Sequence, residues 1–414
     1  MYVSASVFMV TVFSAIMLPM AYAKSNSELH CEMPREDFGF QKINGHFPGI
    51  YLASANLPRV VNQDAKQKCV VNDPRTAGAN IVIPWSKIDR GQLDARGERI
   101  YDWSYVDQST QAWRARGQKV NLLLWGAAQR TFQHIDGERA TPEYVLENAP
   151  VVRCLRFEDE HGHPKHDPLD VDVPIHYHPE YLKHYKPMIE AFIRRFENEP
   201  WVNYMRVGIG VGAESYPANG ANGINGPCRD EWEAAGFTAQ IWRAHVLAMI
   251  DFIGTLSPKK AFVITLNDIA PDLEMASLAA KKAVEEYGFG IGTQGATARA
   301  ILQYEQGLHG GRCYANWCHL FEKYKDKGVV LEIQTPNQSY PIGWENTGVN
   351  TQGHTGPLPQ VLAFALERGV TSVEIYPFEW QVANGNEAYW APYKSDYNKA
   401  LTRSALYLQK PKQK

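Results

Sequence analysis

Eight short apolar runs, separated by longer stretches of helical periodicity, constrain this chain more than any other feature. They are "GIYLAS" (49–54), "ANIVIPW" (79–85), "KVNLLLW" (119–125), "NYMRVGIGVGAE" (203–214), "AFVITL" (261–266), "FGIGTQG" (289–295), "GVVLEIQT" (328–335) and "TSVEIYPFE" (371–379). Most are of strand length and nearly continuous in apolar residues, the pattern of strands buried on both faces. Between them, "PEYLKHYKPMIEAFIRRFENEP" sets Met188, Ile189, Phe192, Ile193 and Phe196 on one helical face. "SYVDQSTQAWRARG" closes on Gly117, a suitable helix C-cap. This alternation predicts an α/β fold, a parallel sheet covered by helices. Eight units predict a (β/α)8 TIM barrel, a single domain with long loops at its C-terminal face. The alternative is an open doubly wound sheet, but no G-x-G-x-x-G stands between a strand and a helix.

Residues 1–23 form an apolar run ending in Ala21-Tyr22-Ala23, the A-x-A form of a signal-peptidase site. The expectation is a signal peptide over 1–23 and the barrel over 24–414, secreted or periplasmic. An uncleaved membrane anchor is the alternative reading of that run. No second run is long and apolar enough to span a bilayer, so no membrane association is expected after cleavage. A net charge of -3 gives no case for nucleic acid. Six cysteines, Cys31, Cys69, Cys154, Cys228, Cys313 and Cys318, are an even count that suggests disulfides in an exported chain. Their spacing resembles no zinc site, and neither metal nor cofactor is expected. The longest connection, from Gly126 to about Pro179, is rich in Arg, His, Pro and Asp. A loop of that length in a compact domain is usually functional or mobile.

In such a barrel the site lies at the C-terminal ends of the strands. Glu214 ends strand four in this reading. In strand seven, side chains alternate in direction, so Val330, Glu332 and Gln334 share one face, while Leu331, Ile333 and Thr335 suit packing beneath helices. Strands four and seven lie across the barrel from one another, and two carboxylates there can flank one bond. Glycoside cleavage needs such a pair, one as acid and one as nucleophile or base. The glycines around Glu214 fit close approach of a substrate or a tight strand-to-loop turn. Two carboxylates at close range cannot easily both ionise; Glu214 is expected to keep its proton and Glu332 to stay anionic. Further candidates for sugar contact are Trp85 and Trp125 at the ends of strands two and three, Asn267 after strand five, Gln294 after strand six, and Gln334. Trp344 in the polar loop 337–357, and Glu374 and Tyr376 in or after strand eight, complete the set. Glu374 is the rival to Glu332 as second carboxylate. With 11 Trp and 21 Tyr, the chain has aromatic surface to stack on sugar rings.

On "GVGAES" (210–215) and "VLEIQ" (330–334), set in this architecture, the chain resembles a clan A glycoside hydrolase. That resemblance implies a barrel with a Glu acid/base at the end of strand four, here Glu214, and a Glu nucleophile at the end of strand seven, here Glu332. The region from "ANIVIPWSKIDRG" to "KVNLLLW" is similar to the second-to-third strand region of β-galactosidase-like families of the clan. The clan usually places Asn, which bonds the sugar 2-hydroxyl, directly before the acid/base; this chain has Ala213 there. "GIGVGAESYP" is also similar to the strand-four segment of β-amylases, which are inverting barrels. The implied activity is retaining hydrolysis of an oligo- or polysaccharide, with inversion and a non-catalytic carbohydrate-binding barrel as alternatives.

Overall fold

The computed structural model describes residues 38–53, 71–128, 139–154, 157–158, 161–165, 172–218, 228–267, 274–294, 296, 298, 301, 305, 317–335, 357–384 and 391–409. Eight parallel strands close into a barrel: β1 (Gly49–Leu52), β2 (Thr76–Pro84), β3 (Lys119–Trp125), β4 (Val202–Val207), β5 (Ala261–Thr265), β6 (Gly290–Gln294), β7 (Leu331–Gln334) and β8 (Ser372–Ile375). Each pairs with its neighbours in sequence, and β1 closes the ring against β8. The (β/α)8 expectation is met, and all eight strands fall on the runs read from the sequence. Several differ in extent, β4 most of all. β4 ends at Val207, so Glu214 stands on the loop that follows rather than at the strand end.

The outward faces carry the larger core. Ile81, Ile83, Leu122, Leu124, Met205, Val207, Ile264, Leu331, Ile333 and Val373 all belong to one buried cluster with the surrounding helices. Helix α1 (Ser104–Ala115) ends as its sequence requires, with Gly117 at φ 72° donating to Arg114 O and Gln118 N donating to Trp113 O. Helix α2 (Pro179–Phe196) begins with Pro at its first position and a His178 ring that accepts from Glu180 N. It buries Met188, Ile189, Phe192, Ile193 and Phe196, each stabilising by about 2 kcal/mol when removed from water. Helix α3 (Ala239–Thr255) is capped by Thr238 Oγ1, which accepts from Ile241 N at 3.1 Å.

The inward faces are mostly polar. At the N-terminal end of the lumen, Asn121 donates to Asn80, Asn203 donates to Asn121 and to the Tyr51 hydroxyl, and Tyr51 donates to Phe47 O. Above lies a small apolar layer of Tyr204, Val263 and Val330. The long connection after β3 holds a short helix and two small antiparallel ribbons. Its Cys154 forms a disulfide with Cys228, just beyond the loop that follows β4. Cys318 is also disulfide-bonded, to a cysteine outside the described residues. The signal-peptide expectation, residues 1–23, lies outside them too. Among the described residues no helix is long and apolar enough to cross a membrane.

Candidate active site

After Val207 the chain makes a compact loop, residues 208–218, that folds on itself. Ile209 N and Gly210 N both donate to Glu214 O, Val211 N donates to Tyr216 O, and Gly212 N reaches Ala127 O after β3. The glycines make this possible. A Cβ at Gly208 would meet Gly212 O and one at Gly210 would meet Tyr216 O, both inside van der Waals contact. Gly212 has φ 64°, in the left-handed region. The glycines therefore serve the turn, the second of the two uses read from the sequence.

Side chains from neighbouring elements hold the loop's outward carbonyls. Tyr185 donates to Gly208 O, His245 to Ile209 O, Thr265 to Ala213 O, Trp242 to Ser215 O and His176 to Pro217 O. Carbonyls only accept, so each histidine carries its proton on Nε2. Both rings are buried and neutral. Burial, with His245 nearby, pushes His176 down to about 3; burial pushes His245 down to about 4. Ser215 ties the loop to β5 by donating to Thr265 O. Asn267 completes the frame: its Oδ1 accepts from Ser215 N at 2.9 Å, and its Nδ2 donates to Glu214 Oε2 at 2.9 Å. Glu214, half-buried, thus has one carboxyl oxygen fixed by a neutral donor.

Glu332 sits lower. It lies beside Gly292 of β6 and Ser372 of β8, two residues below the level of Gln334, Gln294 and Glu374. Its side chain points into the lumen and is fully buried. Gly292 makes the room, since a Cβ there would collide with Glu332 Oε2. Arg206 of β4 reaches across, with Nη1 3.0 Å from Glu332 Oε2 and 3.7 Å from Glu374 Oε1. The Tyr204 hydroxyl donates to Glu374 Oε1 at 2.8 Å. Burial disfavours the charge on Arg206, but Glu374 and Glu332 more than offset this and hold its pKa above the ordinary value; Glu214 acts on it in the same direction. Burial, then the charge of Glu374, pushes Glu332 well above the usual carboxylate range, with Arg206 opposing. In the free protein Glu332 is therefore the carboxyl driven toward its protonated form, opposite to the sequence expectation that it stays anionic.

No family model matches the sequence, and no curated protein matches it significantly. Solved structures do show a likeness. One is the catalytic domain of β-amylase from Paenibacillus polymyxa, 11% identical, covering 85% of this chain and 99% of that one, with a TM-score of 0.45. A glycosylated endo-β-1,4-xylanase of family GH10 from Gloeophyllum trabeum is 9% identical over 87% of this chain and 96% of that one, TM-score 0.45. A β-galactosidase from the psychrophilic Marinomonas ef1 is 13% identical over 86% of this chain but 59% of that one, TM-score 0.44. The barrel stands on its own strand register, and likenesses of this degree add nothing to it.

The remaining sequence candidates divide. Trp125 lies along Gly212 of the loop, half-buried. Gln294 and Gln334 flank each other at the ends of β6 and β7, and half-buried Tyr376 follows β8. Asn267 is engaged with Glu214, as described, and Glu374 is sealed in the lumen with Tyr204 and Arg206. Trp85 corrects an expectation. It falls in step with Ile81 and Ile83, which face outward, and packs fully buried against Tyr181 and Tyr185 with its indole donating to Asp89. It is therefore not exposed to stack on a sugar. Trp344 lies outside the described residues. Among them, no group of three or more His, Cys, Asp or Glu is placed to hold a metal. Sequence reasoning missed Arg206 and Tyr204, although a charged residue inside the strand-like run "NYMRV" was the available signal.

Proposed function

We propose that the protein is an exported glycoside hydrolase acting on an oligo- or polysaccharide, with Glu214 as acid/base and Glu332 as nucleophile of a retaining mechanism. The observation that supports it is the ion pair across the barrel between Glu332 of β7 and Arg206 of β4, the strand whose following loop carries Glu214 within electrostatic reach of the same guanidinium. One carboxyl is half-buried and oriented by a neutral amide, as a group that gives and retakes a proton should be. The other is paired with a guanidinium that stabilises its anion when it attacks. The disulfide Cys154–Cys228 fits an oxidising compartment.

An inverting mechanism is the second reading. Glu332 is fully buried below the level of Gln334, while Glu214 stands on the loop beyond β4. A difference in depth is in keeping with the roughly 6.5–9.5 Å carboxyl separation of inverting enzymes, against about 5–5.5 Å for retaining ones. Reducing-end release from a panel of polysaccharides tests the activity. Proton NMR of the first-formed anomer separates the mechanisms. Calorimetric binding of a polysaccharide without turnover would leave a carbohydrate-binding barrel and overturn the enzymatic reading.

A further inference from the structure

The lumen contains two carboxyl oxygens that are buried and have no hydrogen-bond partner, Glu332 Oε1 and Glu374 Oε2. The other oxygen of each group is served: Glu332 Oε2 by Arg206, Glu374 Oε1 by Tyr204. The residues are diagonal neighbours on β7 and β8, since Glu332 pairs with Ser372 and Gln334 with Glu374. Their carboxyl groups come within hydrogen-bonding reach of each other. We propose that Glu332 and Glu374 share one proton between their unpartnered oxygens, and that Glu374 holds it when Glu332 acts as an anion. Glu374 is then a positioning residue; the second clause rests on the glycosidase reading above.

Charge and hydrogen bonding lead to the same count. Both carboxyl groups and Arg206 are fully buried. One guanidinium faces two carboxylates, and a second uncompensated charge in such a site is costly. An orphaned buried acceptor is costly, and a single proton relieves two of them. The groups facing the pair are Tyr204 and Arg206 from β4, Glu374 from β8 and Glu332 from β7. Gly292 of β6 adds no charge, and Glu214 adds its own through Arg206. Each carboxylate has a donor suited to its anionic form, Arg206 for Glu332 and Tyr204 for Glu374. Transfer breaks the O–H bond on Glu332 and forms one on Glu374, with no proton lost to solvent. A buried nucleophile can thus be anionic although burial raises its pKa, because its proton stays within the pair.

Infrared spectroscopy of the full-length protein tests this without a substrate. The wild type should show a deuterium-sensitive carboxylic-acid carbonyl band at neutral pH. Glu374→Gln and Glu332→Gln should each remove one component of it, since the remaining carboxylate then balances Arg206 alone; a component kept in both variants belongs to another carboxyl such as Glu214. If either variant fails to fold, the other suffices. A band absent from the wild type, or unchanged in the variants, overturns the shared proton. With an active substrate, Glu374→Gln should move the acidic limb of kcat/KM down by about one pH unit or more. A uniform loss of kcat with the limb in place makes Glu374 merely structural and overturns its positioning role. If the band behaves as expected but no glycoside is cleaved, the shared proton stands and the glycosidase reading fails.

Discussion

Acidification should loosen the loop that carries Glu214, because two neutral buried histidines hold its backbone. His176 and His245 ordinarily titrate near 6.5; in the folded chain they are pushed down to about 3 and about 4. Both folded pKa values are depressed, so below about pH 6.5 the unfolded chain binds protons that the folded chain refuses. The stability they contribute is full above about pH 6.5 and is lost progressively as pH falls toward the folded values. From about pH 7.5 to about pH 5 each histidine accounts for a loss of about 2 kcal/mol, from a span of about 1.5 pH units at about 1.4 kcal/mol each. Together they account for about 4 kcal/mol, a large part of the stability of an ordinary domain. His176→Gln and His245→Gln remove the titration while keeping an N–H donor for Pro217 O and Ile209 O. Urea unfolding of the wild type, each variant and the double variant at the two pH values reads the effect directly. The double variant should lose about 4 kcal/mol less than the wild type on acidification, and each single variant about 2 less. Equal losses in all four proteins would refute the assignment of acid sensitivity to this pair.

Two further perturbations probe the same frame. Gly210→Ala places a methyl against Tyr216 O and should destabilise the protein by about 2–4 kcal/mol in denaturant titration, with Glu214-dependent activity lost first. Reducing Cys154–Cys228, with a sequence separation of 74, should cost about 4 kcal/mol through the freed unfolded chain, read as a lowered urea midpoint on reduction.

The barrel was legible because a parallel strand covered by helices must be apolar on its outward face, and that requirement leaves a run wherever a strand lies. β3 was found to the residue, since "KVNLLLW" is bounded by Gly117 on one side and Gly126 on the other. β4 was read too long because "GIGVG" continues the apolar run, while its glycines serve a loop that turns back on its own carbonyls. Glu214 and Glu332 were legible as polar residues at strands four and seven. Their partners were not. Arg206 meets residues 126 and 168 positions away, a pairing set by closure of the ring and invisible in local pattern. The histidines that hold the loop lie in the long connection and on α3, where periodicity marks burial without naming what is bonded. Trp85 was misplaced because its position at the end of a strand outweighed its parity with Ile81 and Ile83, and parity decides which side of a sheet a residue faces.

The central claim is that Glu214 gives a proton to a leaving glycosidic oxygen while Glu332 attacks. The direct measurement compares a polysaccharide, whose leaving group needs that proton, with an activated aryl glycoside, whose leaving group does not. Glu214→Ala should lose polysaccharide cleavage yet keep far more of its activity on the aryl glycoside, and added azide should accelerate it, giving a glycosyl azide of retained configuration. Glu332→Ala should fail on both substrates, and azide rescue there should give the inverted anomer. If Glu214→Ala cleaves polysaccharide at the wild-type rate, the acid is another group and the account is contradicted.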